Sequence, residues 1–172
     1  MSSFDEPALG GVFDAAGEQP SADPGLRERI RTLMADQPYA VLCTQGGGQP
    51  YGSVIAFAAN QDLNGVVFAT PVATRKYRLL IDCDRVALVV DNRAGFPGDI
   101  SRIDALTATG SAVRLSETGA LEHWRNLLVR KHPHLHDFVD APSTALFRID
   151  IVRYLHVVRL QEVHQWTPPR RS

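Results

Sequence analysis

The 172-residue chain reads as a mainly β (α+β) protein, a small antiparallel barrel of six to seven strands with flanking helices. Three observations predict it. Apolar, β-branched runs of strand length recur along the chain, tight glycine- or asparagine-containing turns join the first of them, and only three segments carry the apolar period of a helix. Strands that follow one another through short turns pair antiparallel, whereas a parallel sheet needs a long crossover between each pair.

Taken in order, residues 1–22 hold scattered acids, prolines and glycines without a period and are read as an arm, with Leu9, Val12 and Phe13 available to dock on a partner. The folded domain is expected over 23–167 and a basic tail over 168–172. Asp23 followed by Pro24 is a helix start, since the carboxylate can cap free backbone donors where proline needs none. Leu26, Ile30, Leu33 and Met34 then share one helical face. Tyr39 to Thr44 and Pro50 to Asn60 are strands, joined by Gly46, Gly47 and Gly48, which supply the positive φ of a hairpin turn. Asp62, Asn64 and Gly65 turn the chain into a third strand, Val66 to Ala69. Thr74 to Ile81 reads as a short helix with Tyr77, Leu80 and Ile81 inward. Arg85 to Asp91 is apolar on both faces, as a central or inter-subunit strand would be. A loop over 92–103 leads to a strand from Asp104 to Leu115, and Ser116 is placed to cap a helix striped by Leu121, Trp124, Leu127 and Leu128 until Pro133 interrupts it. Leu146 to Val157 alternates, with Phe147, Ile149 and Ile151 on one face, and a last strand runs to Trp166.

Bulk composition excludes several classes. A hydrophobic fraction of 44% with 22% charged residues is globular rather than disordered. Eighteen basic against 19 acidic residues give no broad positive field for nucleic acid. No apolar run reaches the length of a membrane span, and the acidic start lacks the pattern of a secretory signal, so a cytoplasmic protein without membrane contact is expected. Cys43 and Cys83 show no metal-type spacing and are read as reduced, packed thiols. His132, His134 and His136 alternate, yet no carboxylate or cysteine completes a set, so they are read as surface histidines near a helix end and no metal is assigned.

The stretch that carries chemistry is Thr70 to Leu80, TPVATRKYRLL, where a strand ends and a helix begins. Thr70 and Thr74 offer hydroxyls, Arg75 and Lys76 fixed positive charge, and the first helical N–H groups point the same way, which suits a phosphate. Spacing alone equally allows Arg75 and Lys76 to be solvated surface residues.

These pieces, in this order, resemble a known family. The run Gly48-Gln49-Pro50-Tyr51-Gly52-Ser53-Val54, the turn Asp62 to Gly65, Val67-Phe68-Ala69-Thr70, Thr74-Arg75-Lys76, Leu79-Leu80 and Asp84 to Val90 are similar to the FMN-binding split-barrel, pyridoxamine phosphate oxidase-like superfamily. The likeness covers roughly 37–92 well and 107–115 and 147–157 more loosely; Leu79 and Cys83-Asp84 stand where the family usually has Asn and Pro. The resemblance implies a split β-barrel that works as a homodimer, with FMN at the two-fold interface. Arg75 and Lys76 would then bind the FMN phosphate with Thr70 and Thr74 assisting, while Ser53 and Val54 lie along the isoalloxazine ring through backbone and side chain. Thr107 and Trp166 are candidates for contacts from the partner side, Trp166 having an alternative as an aromatic that closes the barrel. The implied function is an FMN-dependent oxidoreductase acting on a small-molecule redox substrate. The alternative is a non-catalytic FMN- or haem-binding relative, to which His156 and His164 in the closing strands would be relevant, and a deazaflavin is a third option. No catalytic acid or base is identifiable, and the extra substrate-phosphate arginines and C-terminal histidine motif of true pyridoxamine phosphate oxidases are not found.

Overall fold

The computed structural model describes residues 25–158 and 162–169; the proposed arm at 1–22, the Asp23–Pro24 helix start and the end of the tail lie outside them. Seven strands form one sheet in the order β3-β2-β1-β4-β5-β6-β7, and an additional β3–β6 pairing closes six of them into an antiparallel barrel with β7 outside the ring. The strands are β1 (Tyr39–Gly46), β2 (Gln49–Ala59), β3 (Gly65–Pro71), β4 (Arg85–Asp91), β5 (Ala105–Arg114), β6 (Thr144–Val158) and β7 (Glu162–Trp166). Among the described residues four α-helices flank them: α1 (Leu26–Asp36), α2 (Arg75–Asp82), α3 (Thr118–Lys131) and α4 (His136–Asp140).

Closure depends on the length of β6. Its first half pairs with β3, from Thr144 against Pro71 to Asp150 against Gly65, and its second half pairs with β7, from Tyr154 to Val158. Tight turns set the register of the β1–β2 hairpin, where Gly47 and Gly48 hold φ of +58° and +79°, conformations that cost other residues dearly.

Alternation along each strand sends one set of side chains inward. Leu42, Ile55, Phe57, Val66, Phe68, Leu88, Leu106, Phe147, Ile149 and Tyr154 fill the barrel, and Leu26, Ile30 and Met34 of α1 join them. Phe68 and Phe147 stack at 5.6 Å, and the Tyr154 hydroxyl donates to Leu63 O at 2.6 Å, which satisfies a phenol that is fully buried. A second cluster forms outside the barrel wall, where Ala58, Val67 and Leu146 meet Trp124 and Leu128 of α3 and Val139 of α4.

Several expectations are corrected. α3 starts from Glu117 rather than Ser116, and without a side-chain cap. Ile81 is 55% exposed instead of inward, because α2 is two turns long and only the Leu80 stripe meets the barrel. The 92–103 loop contains two short 3-10 turns, Arg93–Gly95 and Ile100–Arg102. His132 is 3% exposed, with Nε2 2.9 Å from Phe57 O, so it belongs to the packing between α3 and β2, while His134 and His136 are exposed as expected. The first tail residues are held: Pro168 is buried, and Pro169 O accepts from Asn64 Nδ2 at 3.1 Å.

Candidate functional site

The β3–α2 junction is built as a brace. Thr74 is the N-cap of α2, its Oγ1 accepting from Tyr77 N at 3.2 Å and donating to Pro71 O at 2.9 Å. Thr70, near the end of β3 and 1% exposed, has its Oγ1 3.0 Å from Thr74 Oγ1. With the Thr74 proton directed to Pro71 O, Thr70 donates to Thr74, so both hydroxyls hold the helix start in place. The N–H groups of Arg75 and Lys76 have no intrahelical acceptor, and these two residues also carry the charge.

Arg75 is exposed, with its guanidinium 5.1 Å from the centroid of the Tyr51 ring on β2. Lys76 is half-buried, and partial loss of water pushes its ammonium below the usual lysine value. No carboxylate ion-pairs with either residue among the described residues. A partly dehydrated cation without a counterion, beside a second cation and at a helix start, is an arrangement that an anion improves. Farther along α2, Tyr77 stacks edge-on against Phe147 at 5.9 Å and accepts a hydrogen bond from Arg114 at 2.9 Å. Neither Tyr51 nor Arg114 stood out in the sequence, because each meets α2 only through pairings made across the barrel.

The remaining candidates divide between two faces. Val54 points outward and is 69% exposed, whereas Ser53 pairs with Leu42 on the inner side, its Oγ buried without a hydrogen bond among the described residues. Consecutive strand residues cannot present side chains to one face, so only one of the two can line a ligand that way. Val54 begins an outward row that crosses the sheet in register through Val41, Val89, Thr107 and Leu155 to Gln165. Thr107 therefore shares a face with Val54, with two valines between them. Trp166, at the end of β7, is partly buried and packs on Tyr154 with ring centroids 5.8 Å apart, against the core of its own barrel.

Alongside that row the outer surface is hollowed. One cavity of about 380 Å³ is lined by Tyr39, Val41, Val54, Val89 and Arg93, among others, and a second of about 340 Å³ continues from Val89 and Arg93 to Ile100, Ile103 and Val157. The cradle and the row are joined only through the β2 backbone: Tyr51 beneath Arg75 is three residues, about 10 Å, from Val54, and alternation turns the two side chains to opposite faces.

Cys43 and Cys83 are free, half-buried thiols, and burial raises that of Cys43 above its usual value. Among the described residues no cluster of three or more His, Cys, Asp or Glu converges as a metal site. No helix among them is long and apolar enough to cross a membrane.

No curated protein matches the sequence. Solved structures share the fold. A heme binding protein from Mycobacterium smegmatis superposes with a TM-score of 0.75 at 18% identity, over 86% of this chain and 60% of that one, so this chain spans less than two thirds of its length. HutZ, the heme storage protein from Vibrio cholerae, gives 0.65 at 16% identity over 83% and 94%. General Stress Protein 26 from Bacillus anthracis gives 0.58 at 15% identity over 83% and 98%. The model of the family described as pyridoxamine 5'-phosphate oxidase matches residues 26–158, most of the barrel and both halves of the site. By that match the chain belongs to the pyridoxamine 5'-phosphate oxidase family.

Proposed function

We propose that the chain binds FMN by its terminal phosphate at the β3–α2 junction and serves as a flavin-dependent oxidoreductase, working as a homodimer with the flavin at the two-fold interface. The observation that carries this reading is Lys76, a half-buried ammonium without a carboxylate partner, beside Arg75 and the uncapped N–H groups of α2. Arg75 and Lys76 would hold the phosphate; Thr70 and Thr74 would keep the cradle in shape. β2 leads from Tyr51 to Val54, so its backbone and the Val54 side chain would lie along the ring, with Thr107 near its far edge. When bound, the flavin supplies electron-pair or single-electron transfer, and the protein orients it and limits water access. The half-exposed outward row gives a second copy an apolar face to cover, as an interface over the ring requires.

Charge-assisted contacts contribute about 1.5 to 3 kcal/mol each, so replacing both cations by Ala should weaken FMN by at least about 100-fold. Riboflavin, which lacks the phosphate, should lose no more than about threefold on the same scale. Fluorescence-quenching titrations of wild type and Arg75→Ala/Lys76→Ala with both ligands test the assignment, and equal losses would end it.

A second reading has its own support. Structures with haem-related names share the fold, and His156 on β6 stands opposite His164 on β7. His164 keeps 31% of its side chain exposed and would be the residue able to hold a haem, while His156 is enclosed at 1%. Haemin titration would yield a Soret band lost in His164→Ala if haem is the cargo, and no histidine-dependent band if the flavin reading holds.

A further inference from the structure

We propose that a third cavity, between α1, α3 and the β2–β3 turn, binds a small amphipathic carboxylate, its apolar body against Met34, Leu63 and Leu127 and its charge toward Arg31, Arg130 and Lys131. The cavity is an open cleft of about 320 Å³. Useful ligand pockets run from about 300 to 1,000 Å³, so the size suits a molecule of roughly ten heavy atoms.

The lining is divided by chemistry. Met34 and Leu63 are buried core residues, Ala58 closes the wall from β2, and Leu127 projects from α3. Three of the lining residues are cations, and none is a carboxylate. The two acids that act on these cations stand outside: Glu28 Oε2 is 3.3 Å from Arg31 Nε, yet that N–H is buried without a hydrogen bond, and Asp36 influences Lys131 only through space. Arg130 has no ion pair among the described residues.

Lys131 is fixed for this task. Its ammonium donates to Met34 O at 2.7 Å and Gln37 O at 2.8 Å, closing the C-terminus of α1, and lies 4.0 Å from the centroid of the Phe57 ring. Two of its three donors are thereby used, and one remains. Burial pushes its pKa down to about 8, the sign of a cation that lacks both water and a full counter-charge. A carboxylate seated there would restore the charge balance, and the apolar floor would exclude simple inorganic anions as equal competitors. Arg31 at the middle of α1 and Lys131 at the end of α3 lie away from the β3–α2 cradle, so this site is independent of the flavin reading.

Isothermal titration of the full chain with octanoate at pH 8 tests the proposal, with octanol and acetate as probes of the two halves of the ligand. Octanoate should bind one per chain with a Kd of about 0.1 to 1 mM, and octanol and acetate at least about tenfold more weakly. Binding should take up protons, read as a heat that differs between Tris and HEPES, because the anion raises the Lys131 pKa. Arg31→Glu/Arg130→Glu should weaken octanoate at least tenfold, and Arg130→Gln, at an exposed position that leaves the fold undisturbed, about threefold. Arg75→Ala/Lys76→Ala should leave octanoate unchanged. Octanol binding as well as octanoate, no effect of Arg130→Gln, or loss of octanoate in the cradle variant would each overturn the site.

Discussion

The outside of the barrel is finished in two ways. Around the end of β2 and β3, the outward residues Ala58 and Val67, with Leu146 of β6, lie beneath Trp124, Leu128 and Val139 of α3 and α4 and are buried. Across β2, β1, β4 and β5, the outward residues Val54, Val41, Val89 and Thr107 are just as apolar or nearly so, yet Val54 is 69% exposed and the others remain half-exposed. The strand pattern is the same on both halves; what differs is the layer above it. A sheet face with valines in register is stable only when something covers it, and on the second half no helix among the described residues does so. The covered half is finished by the chain's own helices; under the function proposed above, the bare half is where a ligand and a second copy would sit.

The comparison breaks first at Trp124. This side chain is 2% exposed, and its ring fits only because residue 65 is glycine, where an added Cβ would come within 2.4 Å of Cη2. Trp124→Ala should therefore cost about 3 to 5 kcal/mol in urea unfolding, the largest single loss expected here. A loss under about 1 kcal/mol would mean that α3 merely rests on the wall.

The bare half is probed by Val54→Asp. A charge at an exposed strand position changes the stability of an isolated chain by no more than about 0.5 kcal/mol. If two copies cover this row, the same charge is buried on association, and sedimentation should show a dimer for wild type and a monomer for the variant at equal concentration. A wild-type monomer, or a variant dimer of undiminished strength, would leave the row to a ligand alone. FMN affinity should fall in parallel with dimer loss, which separates this effect from that of the Arg75 and Lys76 cradle.

How much of this could be read beforehand follows from how local each signal is. Strand alternation, the Gly47–Gly48 turn and a helix opening at Thr74 are properties of neighbouring residues, and each was legible, although the Thr74 hydroxyl was assigned to a phosphate rather than to the helix cap it forms. The outward position of Val54 was implicit in the same alternation, which already assigns Ser53 to the other side. Barrel closure was not legible, because it rests on β3 pairing with residues some eighty positions later. His132 was misread for the same reason: a histidine before a proline looks like a loop residue until its ring meets Phe57 O, 75 positions earlier in the chain. The Lys131 cap on α1 spans a similar distance and gave no local sign.

The smallest expected effect concerns pH and again sets the covered half apart. His132 is buried where α3 ends on β2, and because its Nε2 faces a carbonyl oxygen, that nitrogen carries the proton in the neutral ring. Burial chiefly, and the charges of Lys131 and His134 secondarily, hold its pKa below the ordinary histidine value, against the pull of the Phe57 carbonyl. The sign follows directly. Below about pH 6.5 the unfolded chain takes up a proton that the folded chain resists, so the contribution of His132 is complete above that pH and is lost as pH falls through the lower folded value. His156 acts in the same direction, with burial again the main cause and Asp104, 3.9 Å away, opposing it. Thermal melts from pH 8 to 5 should therefore show a fall in Tm, and His132→Gln, whose amide can still donate to Phe57 O without titrating, should flatten it while lowering Tm little at pH 8. An unchanged slope in the variant would place the acid sensitivity outside the α3–β2 contact, and the covered half would then owe its stability to Trp124 and its neighbours alone.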